Sequence, residues 1–282
     1  MPGMANYHAT YDHLFLAASV ALALVGSFAA LVSAIRIPLA AGAARHGWTA
    51  TAAVALGGGA IWSMHFLGML AYHIDHGVTY NITDTATSLV IAIAASGLGL
   101  AVVAHDQNSS ARLGIGGVIA GLGVAAMHYT GMAAMETGGP INYDVTMVTV
   151  SVVIAVVAAL AALWIAFRVR STAHVLIASA VMAVAVCGMH YTGMAATRVR
   201  VTANPVPSGG IDPTTIGMFV CMIAFIVLAV VIAAALGGVS NASSFELANG
   251  RRGTSPRTGR ERRTPEPAGR ARHTRARDGR PE

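Results

Sequence analysis

The sequence contains no lysine; all 18 of its basic residues are arginine. Charge of either sign is scarce, at 11% of the chain against roughly a quarter in ordinary globular proteins. A chain of 282 residues with so little charge, gathered between long apolar runs, does not read as one or two soluble domains. Cysteine is nearly absent. The two present, Cys187 and Cys221, lie inside apolar runs, which excludes a disulfide framework. Walker, nucleophile-elbow and Rossmann patterns are missing, so no catalytic residue and no enzymatic reaction is assigned. No basic segment precedes the first apolar run, and Leu14–Ile35 is too long for the core of a cleaved signal peptide.

What is present is hydrophobic, 55% of all residues. Seven stretches lack Asp, Glu, Lys and Arg and are long enough to cross a hydrocarbon core of about 30 Å. They are Leu14–Ile35, Thr49–Tyr72, Ala86–Ala104, Leu113–Met135, Met147–Phe167, Val175–Thr197 and Ile216–Gly237. No strict alternation runs through them, which favours helices over a barrel. The expected fold is an all-α membrane protein of seven transmembrane helices, three repeated helix pairs plus one. It occupies residues 7–239, and an Arg-rich tail follows over residues 240–282. That tail has eleven arginines, five acidic residues and almost no large apolar side chains, so it is expected to be disordered and cytoplasmic. It carries nothing aromatic for base stacking, so no nucleic-acid partner is assigned; anionic headgroups suit it better.

Arginine placement sets the orientation. Arg36, Arg45, Arg112, Arg168 and Arg170 fall in alternate connections on the side of the tail, while Asp12, Asp75, Asp84, Glu136, Asp144 and Asp212 fall opposite with Arg198 and Arg200. The N-terminus is expected outside and the C-terminus in the cytoplasm.

Three segments align without gaps: Ser63-Met64-His65-Phe66-Leu67-Gly68-Met69, Ala126-Met127-His128-Tyr129-Thr130-Gly131-Met132 and Gly188-Met189-His190-Tyr191-Thr192-Gly193-Met194. The histidines are 63 and 62 residues apart, the length of one helical hairpin. Each stands seven residues before the end of its span, so the three are expected to converge at one depth, roughly 10 Å below the outer surface. On a helix, Met69, Met132 and Met194 lie about 40° from their histidines, while Met64, Met127 and Met189 lie about 100° the other way. The glycine between them admits a neighbouring helix or ligand. A single methionine here would be packing. A histidine inside a membrane is costly and needs a partner, and three in register form a candidate site. Imidazole with thioether suits copper, Cu(I) especially, better than zinc or calcium. The expected metal ligands are His65, His128, His190, Met69, Met132 and Met194, with Met64, Met127, Met189 and Cys187 as further candidates. His73, Asp75 and His76 are a weaker loop group.

At these motifs the sequence resembles the MHYT domain family, named for the string found at Met127–Thr130 and Met189–Thr192. The first copy departs from it at Phe66 and Leu67 but keeps its histidine and both methionines. The resemblance covers Tyr7 to about Val239 and implies a bacterial inner-membrane sensor that binds copper and detects O2, CO or NO. Many relatives carry cyclic-di-GMP modules. Here only the low-complexity tail follows the spans, so a separate output partner is expected. Copper transport and a haem or redox protein are the alternative readings. The topology is testable: reporter fusions after Ser240 should be active in the cytoplasm and fusions near Thr79 outside. The reverse pattern would overturn both the orientation and the depth assigned to the histidines.

Overall fold

A computed structural model describes residues 10–73, 77–137, 139–168, 171–199, 209–227 and 229. All of them belong to one compact unit, Met1–Gly237. The segment Gly238–Glu282, and with it the expected tail, lies outside the described residues, as do Asp75, His76, Arg170 and Arg200.

The chain is helical and spans the membrane several times. Helix α1 is His13–Ala34, α3 Ile82–His105, α4 Ser110–Ala133, α5 Val145–Arg168 and α6 Thr172–Ala195. Helix α2 is the continuous run Gly42–Ala71, and a shorter apolar helix α7 covers Pro213–Val227. The first six are long and apolar enough to cross a membrane. The expected seventh span, Ile216–Gly237, runs beyond the described residues after α7. Helices also extend past several predicted ends, because charged residues enter their terminal turns. Arg45 lies in the first turns of α2, Asp84 in the first turn of α3, and Arg168 ends α5.

One construction recurs three times at one end of the bundle. Two-stranded antiparallel ribbons pair β1 (Thr10–Tyr11) with β2 (Tyr72–His73), β3 (Thr79–Tyr80) with β4 (Met135–Glu136), and β5 (Ile141–Tyr143) with β6 (Thr197–Val199). Each ribbon joins the start of an odd-numbered helix to the end of the even-numbered helix that follows. The first helical turns are capped alike: Asp12 accepts from the Leu14 and Phe15 amides, Asn81 from those of Thr83 and Asp84, and Asp144 from that of Met147. The capping residue's own amide donates across to the partner helix, Asp12 to the Ala71 carbonyl at 2.9 Å, Asn81 to Ala134 at 2.8 Å and Asp144 to Ala196 at 2.9 Å. Carbonyls that a helix C-terminus would leave unpaired are thereby satisfied.

The described arginines of the tail-side group mark the opposite end. Arg36 covers the Trp48 ring, Arg168 covers Trp164, and Arg45 donates to the Ala104 carbonyl. Helix α2 is the centre, 83% buried over its apolar window where the other five crossing helices are 28–39% buried. Its middle, Val54–Trp62, is π-helical, and the Ser63 hydroxyl donates to the Gly58 carbonyl five residues back at 2.8 Å. Glycine lets neighbours close on this helix: a Cβ at Gly57 would meet the backbone of Ala92 in α3, and one at Gly59 the Val227 side chain of α7. The cap at α3 gives a direct test. Asn81→Ala should lower stability by about 1 kcal/mol in denaturant unfolding of the detergent-solubilised chain, and Asn81→Ser should recover most of it.

Candidate functional site

His65, His128 and His190 stand six, five and five residues before the last residues of α2, α4 and α6. That places all three about 8–9 Å along the helix axes from the ribbon end. The ribbons hold this register, and the rings meet. Centroids of His65 and His128 are 4.8 Å apart, those of His65 and His190 5.0 Å, and those of His128 and His190 5.3 Å. Each residue is 1% exposed or less. The Nδ1 atom of His65 lies 3.1 Å from Nδ1 of His190 and 3.1 Å from Nδ1 of His128. A hydrogen bond between two Nδ1 atoms needs one protonated and one bare, so the three rings cannot all hold the same tautomer.

The other ring nitrogens point outward in a closed cycle. A Cβ on Gly131 would collide with Nε2 of His65, one on Gly193 with Nε2 of His128, and one on Gly68 with Nε2 of His190. Each motif glycine is thus the seat for the histidine of another motif helix. No protein group hydrogen-bonds these three Nε2 atoms. Together the rings are a group whose ligand atoms lie within 4.8 Å of one another, the one such group of His, Cys, Asp or Glu among the described residues.

All six motif methionines are buried, at 2% exposure or less. Met69, Met132 and Met194 share one apolar cluster with Trp62 and Phe66. Met64 clusters with Ala23 of α1 and Ala183 of α6, and Met189 with Ala125 of α4 and Ala155 of α5. Met127 departs from that separation, because it joins the larger cluster beside Ala92 of α3. Cys187 is half-buried against the cluster that holds Met64, outside the histidine group. In the loop group, His73 has its backbone in β2, while Asp75 and His76 lie outside the described residues.

Aromatic rings cover the histidines. Phe66, Tyr129 and Tyr191 each meet the preceding histidine edge-on, with centroids 5.0, 4.8 and 4.7 Å away. A second ring follows in each: Tyr80 lies 6.1 Å from Phe66, Tyr143 5.7 Å from Tyr129, and Tyr11 6.0 Å from Tyr191. Burial raises the phenol pKa of Tyr80, and burial with the nearby Tyr129 raises that of Tyr143, so both stay neutral. Sequence reasoning passed over these tyrosines. Their signal is a Tyr-Asp or Tyr-Asn pair before each odd helix, followed seven residues later by serine: Tyr11-Asp12 with Ser19, Tyr80-Asn81 with Ser88, Tyr143-Asp144 with Ser151.

Fold and site together define a multi-pass membrane protein with three histidines buried in contact. The family model described as bacterial signalling protein N terminal repeat, MHYT, matches residues 58–116 and 121–179, which take in the first two motifs. Residues 58–179 thus carry repeats of the MHYT family. It is 39% identical over 227 residues to the bifunctional diguanylate cyclase/cyclic di-GMP phosphodiesterase MucR of Pseudomonas aeruginosa, covering 78% of this chain and 33% of that protein. The cyclic di-GMP phosphodiesterase NbdA of the same organism is 40% identical over 56% of this chain and 21% of its own length. The signaling protein YkoW of Bacillus subtilis is 30% identical over 77% of this chain and 28% of its own. The chain therefore spans a third or less of these relatives. No solved structure matches it.

The glycine cycle can be tested by size. Gly131→Ala should displace His65 and lower stability by about 1–3 kcal/mol, whereas Gly114, which has open space beside it on the same helix, should accept alanine without loss. Equal melting temperatures for the two variants in detergent would show that the glycines are not seats for the rings.

Proposed function

We propose that this chain is a membrane sensor that holds copper between α2, α4 and α6 and responds to a diatomic gas or to redox state. The observation that carries the reading is the buried contact of His65, His128 and His190. The donor set fits the group. Neutral imidazoles whose nitrogens face one another at 3.1 Å avoid lone-pair repulsion either by sharing protons or by facing a common cation. Met69, Met132 and Met194 would add soft sulfur from the same stripe. A copper ion bound here supplies an open coordination position or a one-electron couple. The protein's own part is to fix the rings, exclude water with the aromatic cover, and link the site to helix packing. Among the described residues no second group of His, Cys, Asp or Glu follows along the bundle, which favours a resident ion over a transported one.

The same reading extends to the topology. The chain crosses the inner membrane seven times as three helix pairs plus one, with the ribbon end outside, the arginine end in the cytoplasm and the Arg-rich segment 240–282 as a cytoplasmic tail beyond the membrane domain 7–239. The relatives' names carry cyclic-di-GMP activities, and the aligned third or less of each supports a shared sensory part. An output partner or module of that chemistry would receive the signal.

Purified full-length chain should contain about one copper per molecule by metal analysis. His128→Ala or His190→Ala should remove it. Met132→Leu or Met194→Leu should weaken it or alter its absorption without unfolding the bundle, since volume and apolarity are kept; Met189→Leu, in a separate cluster with Ala125 and Ala155, should matter much less. Absence of copper from every preparation, with full folding of the triple His→Ala chain, would remove the metal reading.

A further inference from the structure

The outer helices carry a recurrence that the motif does not include. Ser19, Ser88 and Ser151, each seven residues beyond a helix cap, are 0% exposed. Ser19 donates to the Leu16 carbonyl and Ser88 to that of Thr85, both at 2.7 Å, and Ser151 to that of Val148 at 2.8 Å. A hydroxyl has one hydrogen. With that hydrogen committed to the backbone, each serine oxygen is left to accept, and each faces a donor on a motif helix. The Tyr191 hydroxyl donates to Ser19 at 2.8 Å and the Tyr129 hydroxyl to Ser151 at 2.6 Å. In the first copy Phe66 has no hydroxyl to give. There the indole N–H of Trp62 is shared between the Ser88 hydroxyl at 3.1 Å and the Thr85 carbonyl at 3.3 Å. The acceptor is retained although the donor has moved to another position and another chemistry.

These bonds fix the rings that bear on the histidines. Tyr129 and Tyr191 lie edge-on to His128 and His190. Trp62 packs on Phe66 at 4.7 Å, and Phe66 lies edge-on to His65. We propose that Ser19, Ser88 and Ser151 are positioning residues of the histidine site, setting the ring orientations of His190, His65 and His128 respectively. The consequence for copper rests on the function proposed above, whereas the orientation itself is a property of the metal-free protein. The two are therefore separable.

The test records imidazole nitrogen resonances of the full chain with labelled histidine, first without metal, then measures Cu(I) affinity. Ser151→Ala should shift the His128 nitrogens and weaken Cu(I) about tenfold, as loss of a partner behind a ligand does. Ser151→Thr keeps the hydroxyl and should restore both. Tyr129→Phe should reproduce Ser151→Ala, and the double variant should be no worse than either. The control is Ser179→Ala: Ser179 is also buried, but its hydroxyl donates to the Val175 carbonyl at 2.7 Å, and its loss should leave the histidine resonances in place. Should Ser151→Ala fail to fold, Tyr129→Phe at its half-buried position decides the matter. Unmoved His128 resonances, or equal shifts from Ser179→Ala, overturn the proposal. Shifted resonances in a chain that takes up no copper sustain the positioning role and overturn the copper reading.

Discussion

Three imidazoles can touch inside an apolar bundle only where each helix gives way to its neighbour's ring, and that requirement organises the rest of the protein. A ring turned outward on its Nε2 side would strike the next helix unless the residue there lacks a Cβ. Gly131, Gly193 and Gly68 meet that need for His65, His128 and His190 in turn. The interval of three residues between histidine and glycine is therefore fixed from two directions. It sets where a helix presents its own ring and where it receives another's. A shift of one helix by a single residue would rotate both features by about 100° and break two contacts at once.

Equal depth must then be enforced, and the ribbons do so. In each copy the carbonyl six residues after the histidine accepts the amide of an odd helix's cap, which ties the end of the motif helix to the start of its partner. The first copy obeys this rule but differs in its aromatic cover. Its outer side is covered by α7, whose Ile216 and Val220 are fully buried in the cluster that holds Phe66 and Met69. Tyr80 is 2% exposed there, while Tyr11 and Tyr143 are half-buried. Phenylalanine serves at that position because Trp62, one turn earlier, already supplies a donor to Ser88.

The histidines and the closeness at glycine were legible in the sequence because they recur in one contiguous string. The identity of what closes on each glycine was not. Helix periodicity places a ring on a face but says nothing about which neighbour that face meets. The odd helices were read least well, for a specific reason. A charge-free criterion started the third span at Ala86, although the helix starts at Ile82 with Asp84 in its first turn. That hid the cap at Asn81, and without the three caps in register neither Tyr80 nor Ser88 can be aligned with its counterparts. A lone serine in an apolar helix carries no signal; three at one distance from three caps do.

The cyclic contact also bears on how such a site can signal. Each ring rests on a different helix from the one that carries it, so moving one histidine displaces the glycine face of the next helix, and the third in turn. Close-packed interiors do not absorb such displacements locally. The serine bonds to Tyr191, Trp62 and Tyr129 extend the linkage from α2, α4 and α6 to α1, α3 and α5. A ligand that favours one spacing of the rings over another therefore acts on the packing of all six crossing helices, and its leverage equals its difference in affinity for the two spacings.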